Sequence, residues 1–568
     1  MAVILLSTLA ILLLSPWIIP YALHTLSRIL GSHIRSKTLS RRETLFDFTK
    51  SDLQIQGLPL PISEDGDWEK IEGCAVGSAP NGDKPDKEWK GVIGFFHPFC
   101  NAGGGGERVL WAAIRACQRR WPEAVCVVYT GDHDTAKEQI IKRVQDRFNI
   151  TLHPPTLHFL YLSTRHYVLS STYPHFTLLG QSLGSLILSL DAFTLLVPDI
   201  FIDTMGYSFA LWLSKLLFPN VPTAAYVHYP TISMDMLQSL DASDDETKGK
   251  GLNAGAGVGW RGKAKKMYWH IFAWLYSHTG STIDVVMTNS SWTQSHIRSL
   301  WGPKRSPSSH AIEVVFPPVA VEELETAIPV SAESEKDRLP HLLYIAQFRP
   351  EKNHTLIIQS FSRLLHSLPQ SPSSPSSPSP SSIPSPSTIP SPSTTASTRP
   401  KLILIGSVRD DDDKKRVYKL RLLVHSLGIK EDVEFICDAK WPVVLEHLGR
   451  SSVGVNGMWN EHFGIGVVEY EASGLISVVN DSGGPRGDIV VMVEGGRTGF
   501  HASTEEEYAD AFREALDLSV EEKVAMRLRA RKSARRFTEE VFAGKWISHM
   551  ETLVSLQMKL SPPLLPPG

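Results

Sequence analysis

Two Rossmann-like α/β domains behind an N-terminal transmembrane helix are the architecture the sequence predicts, and three observations predict it. An apolar run opens the chain, short apolar runs then alternate with helix-length segments, and the same alternation starts again past the middle. Alternation of that kind is the signature of a parallel sheet with crossover helices. A length of 568 residues also suits two hydrophobic cores better than one.

The opening run extends from Ala2 to Ile19, broken only by Ser7, Thr8, Ser15 and Pro16, and apolar residues continue to Leu26. About 20 helical residues rising ~1.5 Å each cross a hydrocarbon core of roughly 30 Å. Arg28, Arg35, Lys37, Arg41 and Arg42 follow, and no acid precedes Glu43. That bias leaves the bulk of the chain in the cytosol. A cleaved signal peptide competes, but it lacks a charged leading region and a small-x-small cleavage site. Residues 1–27 are therefore read as a signal anchor and 28–90 as a polar connector.

The first domain is placed at 91–325. Its strands are read at Gly91 to Phe96, Ala124 to Tyr129, Ile200 to Asp203, Thr223 to His228 and Asp284 to Thr288, with a helix from Glu107 to Arg120. A polar, Gly-rich surface insertion interrupts it at 241–259. Leu178 to Val197 is apolar apart from Asp191 and several small polar residues. It reads as a buried or membrane-apposed helix, because a second crossing would put the rest of the chain on the other side of the bilayer. The second domain is placed at 335–540, with strands at His341 to Ala346, Lys401 to Gly406, Val433 to Ile436, Val453 to Asn456 and Ile476 to Asn480. Its first helix spans about Thr355 to Leu368. A Ser/Pro tract at 371–398 cannot bury enough apolar surface to fold and is read as a disordered insertion. Residues 541–568 are read as a C-terminal helix and tail.

Composition narrows the function. A net charge of −3 and a pI near 6.7 give no basic surface for a nucleic-acid backbone, so nucleic acid is not an expected partner. The five cysteines are sparse and odd in number, which suits a reducing compartment.

Four segments carry candidate chemistry. The strongest is Asn460-Glu461-His462-Phe463-Gly464-Ile465-Gly466-Val467-Val468-Glu469, with two acids eight positions apart. A helix starting near Gly464 would leave Glu461 in the preceding loop and Glu469 inside the helix. Free backbone N–H groups and the dipole at its start favour a diphosphate. A carboxylate there can chelate a ribose diol, and another can hold sugar hydroxyls; taken alone, both acids would equally suit the helix dipole. Arg349 and Lys352 follow an apolar strand, at the carboxyl end where open α/β sheets bind ligands, and two cations there would neutralise a departing diphosphate. Asn101-Ala102-Gly103-Gly104-Gly105-Gly106-Glu107-Arg108 lets a ligand approach the backbone but matches neither GxGxxG nor the P-loop. His228 ends a strand at the crevice rim, where a structural role competes with a functional one.

Arg349 and Lys352, the Glu461-x7-Glu469 pair and the downstream Gly495-Gly496-Arg497-Thr498-Gly499-Phe500 resemble the retaining GT-B glycosyltransferases of family 4. Longer runs narrow the match. Phe96-His97-Pro98-Phe99-Cys100-Asn101 through Trp111, Tyr173-Pro174-His175-Phe176, His228-Tyr229-Pro230-Thr231-Ile232-Ser233 and Ala346 to Lys352 resemble the endoplasmic-reticulum α-1,2-mannosyltransferases of lipid-linked oligosaccharide synthesis that use GDP-mannose.

The resemblance implies a GT-B fold, two Rossmann-like domains facing a cleft. It implies an enzyme that adds the fourth and fifth mannoses from GDP-mannose to a trimannosyl-chitobiosyl-diphosphodolichol acceptor, single-pass in the endoplasmic reticulum membrane with its catalytic domains cytosolic. Partners so implied are GDP-mannose, the dolichol-diphosphate-linked oligosaccharide, the membrane and other mannosyltransferases of the pathway. The catalytic residues would be Glu461, His228, Arg349 and Lys352, with Glu461 and His228 at the mannose and the two cations on the diphosphate. Glu469 would hold the ribose, and Phe463, Gly464, Gly104 and Gly105 would complete donor binding. No cofactor or metal is expected beyond the co-substrate: Asp132-His133-Asp134 and Asp410 to Asp413 read as solvated loops. A family 4 transferase using another nucleotide sugar, or a catalytically inactive scaffold subunit, are the alternatives.

Overall fold

A computed structural model describes residues 2–56, 89–238, 259–368 and 399–560, with the side chains of 2–20 outside the description. The expected Ser/Pro insertion, nearly all of the 241–259 insertion and the C-terminal tail from 561 lie outside the described residues. The chain divides into two compact units, Met1–Pro318 with Phe537–Gly568, and Val319–Arg536.

Unit 1 is built on seven strands: β1 Val92–Phe96, β2 Val125–Thr130, β3 Leu157–Tyr161, β4 Ile200–Asp203, β5 Thr223–Val227, β6 Val285–Thr288 and β7 Ile312–Val314. They form one parallel sheet in the order β3-β2-β1-β4-β5-β6-β7. The helices are α1 Ala2–Gln56, α2 Gly105–Arg120, α3 Lys137–Phe148, α4 Thr177–Leu195, α5 Ser208–Leu217, α6 Met234–Gln238, α7 Gly259–Ser281 and α8 Ser291–Trp301. The β1 and β2 positions are wholly buried, as continuous apolar runs require when helices cover both faces.

Unit 2 repeats the plan. Its strands are β8 Leu339–Ile345, β9 Lys401–Gly406, β10 Val433–Cys437, β11 Ser451–Asn456, β12 Ile476–Asn480, the two-residue ribbon β13 Met492–Val493 with β14 Gly496–Arg497, and β15 Gly499–Ala502. The sheet order is β10-β9-β8-β11-β12-β15, all parallel. Its helices are α9 Val321–Ala327, α10 His354–Ser367, α11 Asp411–Ser426, α12 Trp441–Arg450, α13 Ile465–Ala472, α14 Glu505–Asp517 and α15 Val520–Ala534. In each unit the strand order reverses, between β1 and β4 in the first and between β8 and β11 in the second. Ligands of open α/β sheets bind outside the carboxyl ends of strands at such a reversal.

The final helix, α16 Glu539–Leu560, belongs to unit 1. Trp546 lies 6.4 Å from Phe95, centroid to centroid, and its indole N–H points at Cys117 Sγ 3.4 Å away. Glu539 bridges Arg108 and Arg115 of α2.

Three expectations are corrected. Residues 28–56 are not connector: α1 continues helical to Gln56. It packs through small side chains, with Ser27, Thr38 and Thr49 buried and Gly31 so close to Leu217 that a Cβ would lie 2.0 Å from its carbonyl oxygen. The first domain ends at Pro318 and the second at Arg536, because the segment from Phe537 onward supplies core to unit 1. β3, β7 and β15 are strands that the apolar pattern did not announce. Helix α4 buries Leu188, Ala192 and Phe193 in the unit 1 core and leaves Leu183 and Ile187 exposed. Among the described residues it is the helix long and apolar enough to cross a membrane.

Candidate functional site

The unit 2 residues gather at the reversal point of its sheet. Past the end of β8, Pro350 to Lys352 make one short turn, and Asn353 enters α10 with φ 48°, its side chain accepting the Leu356 N–H at 3.4 Å. The Tyr344 hydroxyl donates to the Lys352 carbonyl at 2.5 Å, fixing the turn to the strand. From the neighbouring β11, Gly457 to Asn460 lead to Glu461. Lys352 Nζ meets the Glu461 carboxylate at 2.5 Å and Met458 Sδ at 3.1 Å. Two of the residues singled out in the sequence thus form a direct ion pair, with side chains only 22% and 14% exposed.

Burial pushes the Glu461 carboxyl up, but Lys352, through charge and hydrogen bond, together with His462 and Asn456, holds it below the usual carboxylate range. The acid is therefore ionised at neutral pH. Arg349 does not join this pair: its side chain is 40% exposed and its ion partner is Glu351 at 4.0 Å.

Helix α13 begins beside them. Gly464 is its N-cap with φ 103°, a left-handed conformation that glycine adopts without steric penalty. The first turn abuts the end of β8: a Cβ on Gly466 would stand 3.8 Å from the Ile345 carbonyl, and the Ile345 N–H donates to the Tyr470 hydroxyl at 2.7 Å. Phe463 is buried, and Glu469 is half-buried in the second turn. A third loop, after β12, braces the second. The Asn460 N–H donates to Ser482 Oγ at 2.7 Å and the Gly484 N–H to the Glu461 carbonyl at 2.8 Å. A Cβ on Gly483 would lie 2.3 Å from that same carbonyl. Sequence reasoning did not single out Ser482 to Gly484; the Ser-Gly-Gly-Pro run after an apolar strand was the available signal.

In unit 1, the glycine cluster and His228 come together. Helix α2 starts at Gly105, with Gly104 as N-cap, so only Gly103 and Gly104 belong to the loop and Gly105 and Gly106 to the first helical turn. A Cβ on Gly106 would lie 3.5 Å from His228 Nε2, while nothing within 4 Å would meet one on Gly104. Glu107 reaches back to accept the Gly103 N–H, tying the loop to the first turn of α2. His97, at the end of β1, is 1% exposed and its Nδ1 sits 2.7 Å from Thr204 Oγ1, joining the two strands at the reversal point. Burial, reinforced by His228, pulls its pKa down to about 3. Asp203 at the end of β4 accepts N–H bonds from Met205, Gly206 and Tyr207 at 3.1, 2.8 and 2.7 Å, and burial raises its pKa to about 7. His97, Glu107 and Asp203 shape this end of the sheet and were missed as site-forming residues. His97 before a proline, and Glu107 three positions after the N-cap, were the signals.

The two acidic runs are structural. Asp132 is not a solvated acid: it pairs with Arg165 and accepts the Asn101 N–H at 3.1 Å. Asp410 caps α11 by accepting the Asp413 N–H at 2.9 Å. Among the described residues no three His, Cys, Asp or Glu side chains converge as a metal site.

Comparison with known proteins adds an independent line. Residues 90–301 match the family described as ALG11 mannosyltransferase N-terminus, and residues 393–537 match glycosyl transferases group 1. A Neurospora crassa GDP-Man:Man(3)GlcNAc(2)-PP-Dol alpha-1,2-mannosyltransferase is 56% identical over 95% of this chain and 94% of its own. The human protein of the same name is 43% identical over 81% and 87%. Among solved structures, the Candida albicans trehalose-6-phosphate phosphatase N-terminal domain aligns with a TM-score of 0.56 at 12% identity, covering 84% of this chain and 98% of its own. The sucrose-phosphate synthase of Thermosynechococcus elongatus aligns at 0.55 and 13% identity, covering 82% and 99%. These likenesses establish the fold, a GT-B pair of Rossmann-like domains.

Proposed function

The chain belongs to the family of GDP-Man:Man(3)GlcNAc(2)-PP-Dol alpha-1,2-mannosyltransferases, and from that premise we propose that it transfers mannose from GDP-mannose in α-1,2 linkage to the trimannosyl-chitobiosyl-diphosphodolichol acceptor. It adds the fourth and fifth mannoses, with retention of configuration, on the cytosolic face of the endoplasmic reticulum membrane, to which residues 1–27 anchor it. The observation that carries this reading is the Lys352–Glu461 pair at the carboxyl ends of adjacent strands, beside the start of α13.

The chemistry asked of these groups is charge placement. A departing GDP gains negative charge as the glycosidic bond breaks, and fixed cations in a partly dry site stabilise that charge more than water does. Lys352 is already held by Glu461, so its ammonium is oriented before the donor arrives. Arg349, being exposed, is assigned the outer phosphate oxygens, and the first N–H groups of α13 the remainder. Glu461, ionised and pinned, accepts hydroxyl hydrogen bonds from the mannose, and Glu469 those of the ribose. Phe463, Gly464, Gly104 and Gly105 are assigned to donor binding, and His228, beside Gly106, to the sugar or its developing charge. Front-face attack, with the leaving diphosphate taking the acceptor proton, asks for no enzymic nucleophile and no metal.

The test is transfer from GDP-mannose, UDP-glucose and UDP-N-acetylglucosamine to a Man(3)GlcNAc(2)-diphosphodolichol acceptor by the full chain in lipid. Two successive additions from GDP-mannose alone, removable by an α-1,2-mannosidase, are expected. Transfer from a UDP-sugar instead would replace the donor assignment. Unchanged transfer in Glu461→Ala would overturn the role of the pair and favour a scaffold.

A further inference from the structure

The amino end of α13 lies at the donor loops, and at its carboxyl end each carbonyl from Glu469 to Gly474 has a partner. A helix leaves its last four carbonyls without intrahelical donors. Here the Ser473 N–H bonds the Glu469 carbonyl at 3.0 Å. Gly474, at φ 73°, turns the chain so that the Leu475 and Gly474 N–H groups bond the Tyr470 and Glu471 carbonyls at 2.8 and 3.1 Å, a Schellman closure. The carbonyls that remain each meet an arginine. Arg531 Nε donates to Ala472 at 3.0 Å, Arg338 Nη2 to Ser473 at 2.7 Å and Arg527 Nη1 to Gly474 at 2.7 Å. Gly474 also leaves them room: a Cβ there would stand 3.3 Å from Arg338 Nη2 and 3.8 Å from Arg531 Nε.

The same guanidiniums hold the neighbouring strands. Arg338, one residue before β8, donates to the Ser451 carbonyl at the start of β11 at 2.6 Å, and Arg527 donates to the next carbonyl, Ser452, at 2.9 Å. Arg531 also reaches the Ile328 carbonyl. Arg527 is wholly buried, with Nε and Nη2 on the two oxygens of Glu335 at 2.8 and 2.9 Å, and Arg338 is buried beside it. Burying such cations is unfavourable unless their donors are met, and the elements they join give three of them a purpose. The start of β8, the start of β11 and the foot of α13 are fastened together, and the opposite ends of these three elements deliver Lys352, Glu461 and the Gly464 entry. Eight helical residues measure about 12 Å, so a shift at the foot is carried to the head. A planar guanidinium bonds two carbonyls in fixed directions, as a single ammonium on a flexible stem does not.

We infer that Arg338, Arg527 and Arg531 are positioning residues of the donor site: they fix the carboxyl end of α13 so that its amino end meets the nucleotide diphosphate and Glu469 the ribose. The inference rests on the reading of α13 as the seat of the donor nucleotide.

The test is steady-state transfer by the full chain in lipid, with GDP-mannose and the acceptor varied separately, for wild type, R531M, R531K, R527K and R529M. Arg531 is only half-buried, so its replacement spares the fold, which circular dichroism checks. R529M removes a comparable bond made by the same helix, to the Arg497 carbonyl at 3.0 Å, outside α13. R531M is expected to raise KM for GDP-mannose about tenfold, the effect of leaving one buried carbonyl without its donor, while kcat and the acceptor KM stay near wild type. R531K, which keeps a donor for Ala472, recovers most of that loss. R527K, which keeps the charge and gives up the fork, shows it, and R529M leaves both KM values unchanged. A GDP-mannose KM equal to wild type in both R531M and R527K overturns the inference while transfer from GDP-mannose stands. An equal change in both KM values, shared by R531M and R529M, overturns it too, since that is what general loosening of unit 2 produces. If wild type saturates with UDP-glucose instead, the donor assignment falls, and the same split in KM for UDP-glucose supports the positioning role.

Discussion

Lys352 and Glu461 are 109 positions apart in sequence yet share one proton-donating contact, and their chemistry is coupled through it. Replacing Glu461 with Ala is expected to lower kcat by about 10²–10³-fold, the range for losing one preorganised electrostatic group. Replacing Lys352 with Ala should act twice. It removes a diphosphate cation, and it takes away the strongest influence opposing burial on Glu461, leaving His462 and Asn456, so that its carboxyl pKa rises. Activity that needs the carboxylate is present above its pKa and lost as pH falls through it, so the acid limb of kcat/KM moves to higher pH in Lys352→Ala. A limb that stays in place would separate Glu461 from catalysis. Asp203 gives the opposite sign. Its folded pKa of about 7 lies above the unfolded value, so the stability it contributes is full below the ordinary carboxylate range and declines as pH rises to about 7, flattening above. Asp203→Asn should remove that decline, read as urea midpoints at pH 5 and pH 8. The Glu461-x7-Glu469 spacing and the Arg349–Lys352 loop were legible as residues because each sits beside a turn or strand end. That Arg349 points away to Glu351 was not, since rotamers of exposed side chains leave no mark in a sequence.

At the scale of elements, legibility followed hydrophobic period. The strands that line the two reversal points are continuous apolar runs and were read within a residue or two. Those missed had weak signals: β7 is three residues long, and β3 has four of its five positions only partly buried. Helix α1 was invisible beyond residue 27 for a different reason. Past residue 27 its buried positions are mostly Ser, Gly and Thr, with Leu45 alone among the described residues as a buried apolar side chain, so the apolar period that marks it is weak. Gly31→Ala should therefore be disruptive, because a Cβ would strike the Leu217 backbone at 2.0 Å; faster limited proteolysis between α1 and α5 is the expected readout. Gly464→Ala tests the entry to α13. With φ at 103° and Pro485 3.1 Å from a new Cβ, strain of roughly 1–3 kcal/mol is expected, seen as a raised KM for GDP-mannose. Gly428→Ala, at φ 71° in open space, is the matched control: it should lower thermal stability alone and leave KM unchanged.

For the whole molecule, two repeats of one α/β plan were evident from alternation alone, and the boundary between them was not. The sequence suggests that a domain ends where its strands stop, whereas α16, some 220 residues after β7, completes the core of unit 1. Trp546, Met550 and Leu553 are wholly buried there with Phe95 and Trp111. Ending the chain at Thr538 should expose that surface and give a protein that binds a hydrophobic dye and loses transfer, even though both predicted ligand loops remain intact.

The return of α16 also sets a schedule for biosynthesis. A nascent chain leaving the ribosome has made every strand of unit 1 by residue 314, yet α16, which joins α2 in the core on one side of that sheet, is translated only after the whole of unit 2. Through the synthesis of all of unit 2 that part of the core beside α2 waits uncovered. Chaperone contact with nascent chains should accordingly peak after the first unit's strands emerge and fall only once α16 has emerged, so a stop codon within unit 2 would leave unit 1 lacking part of its core.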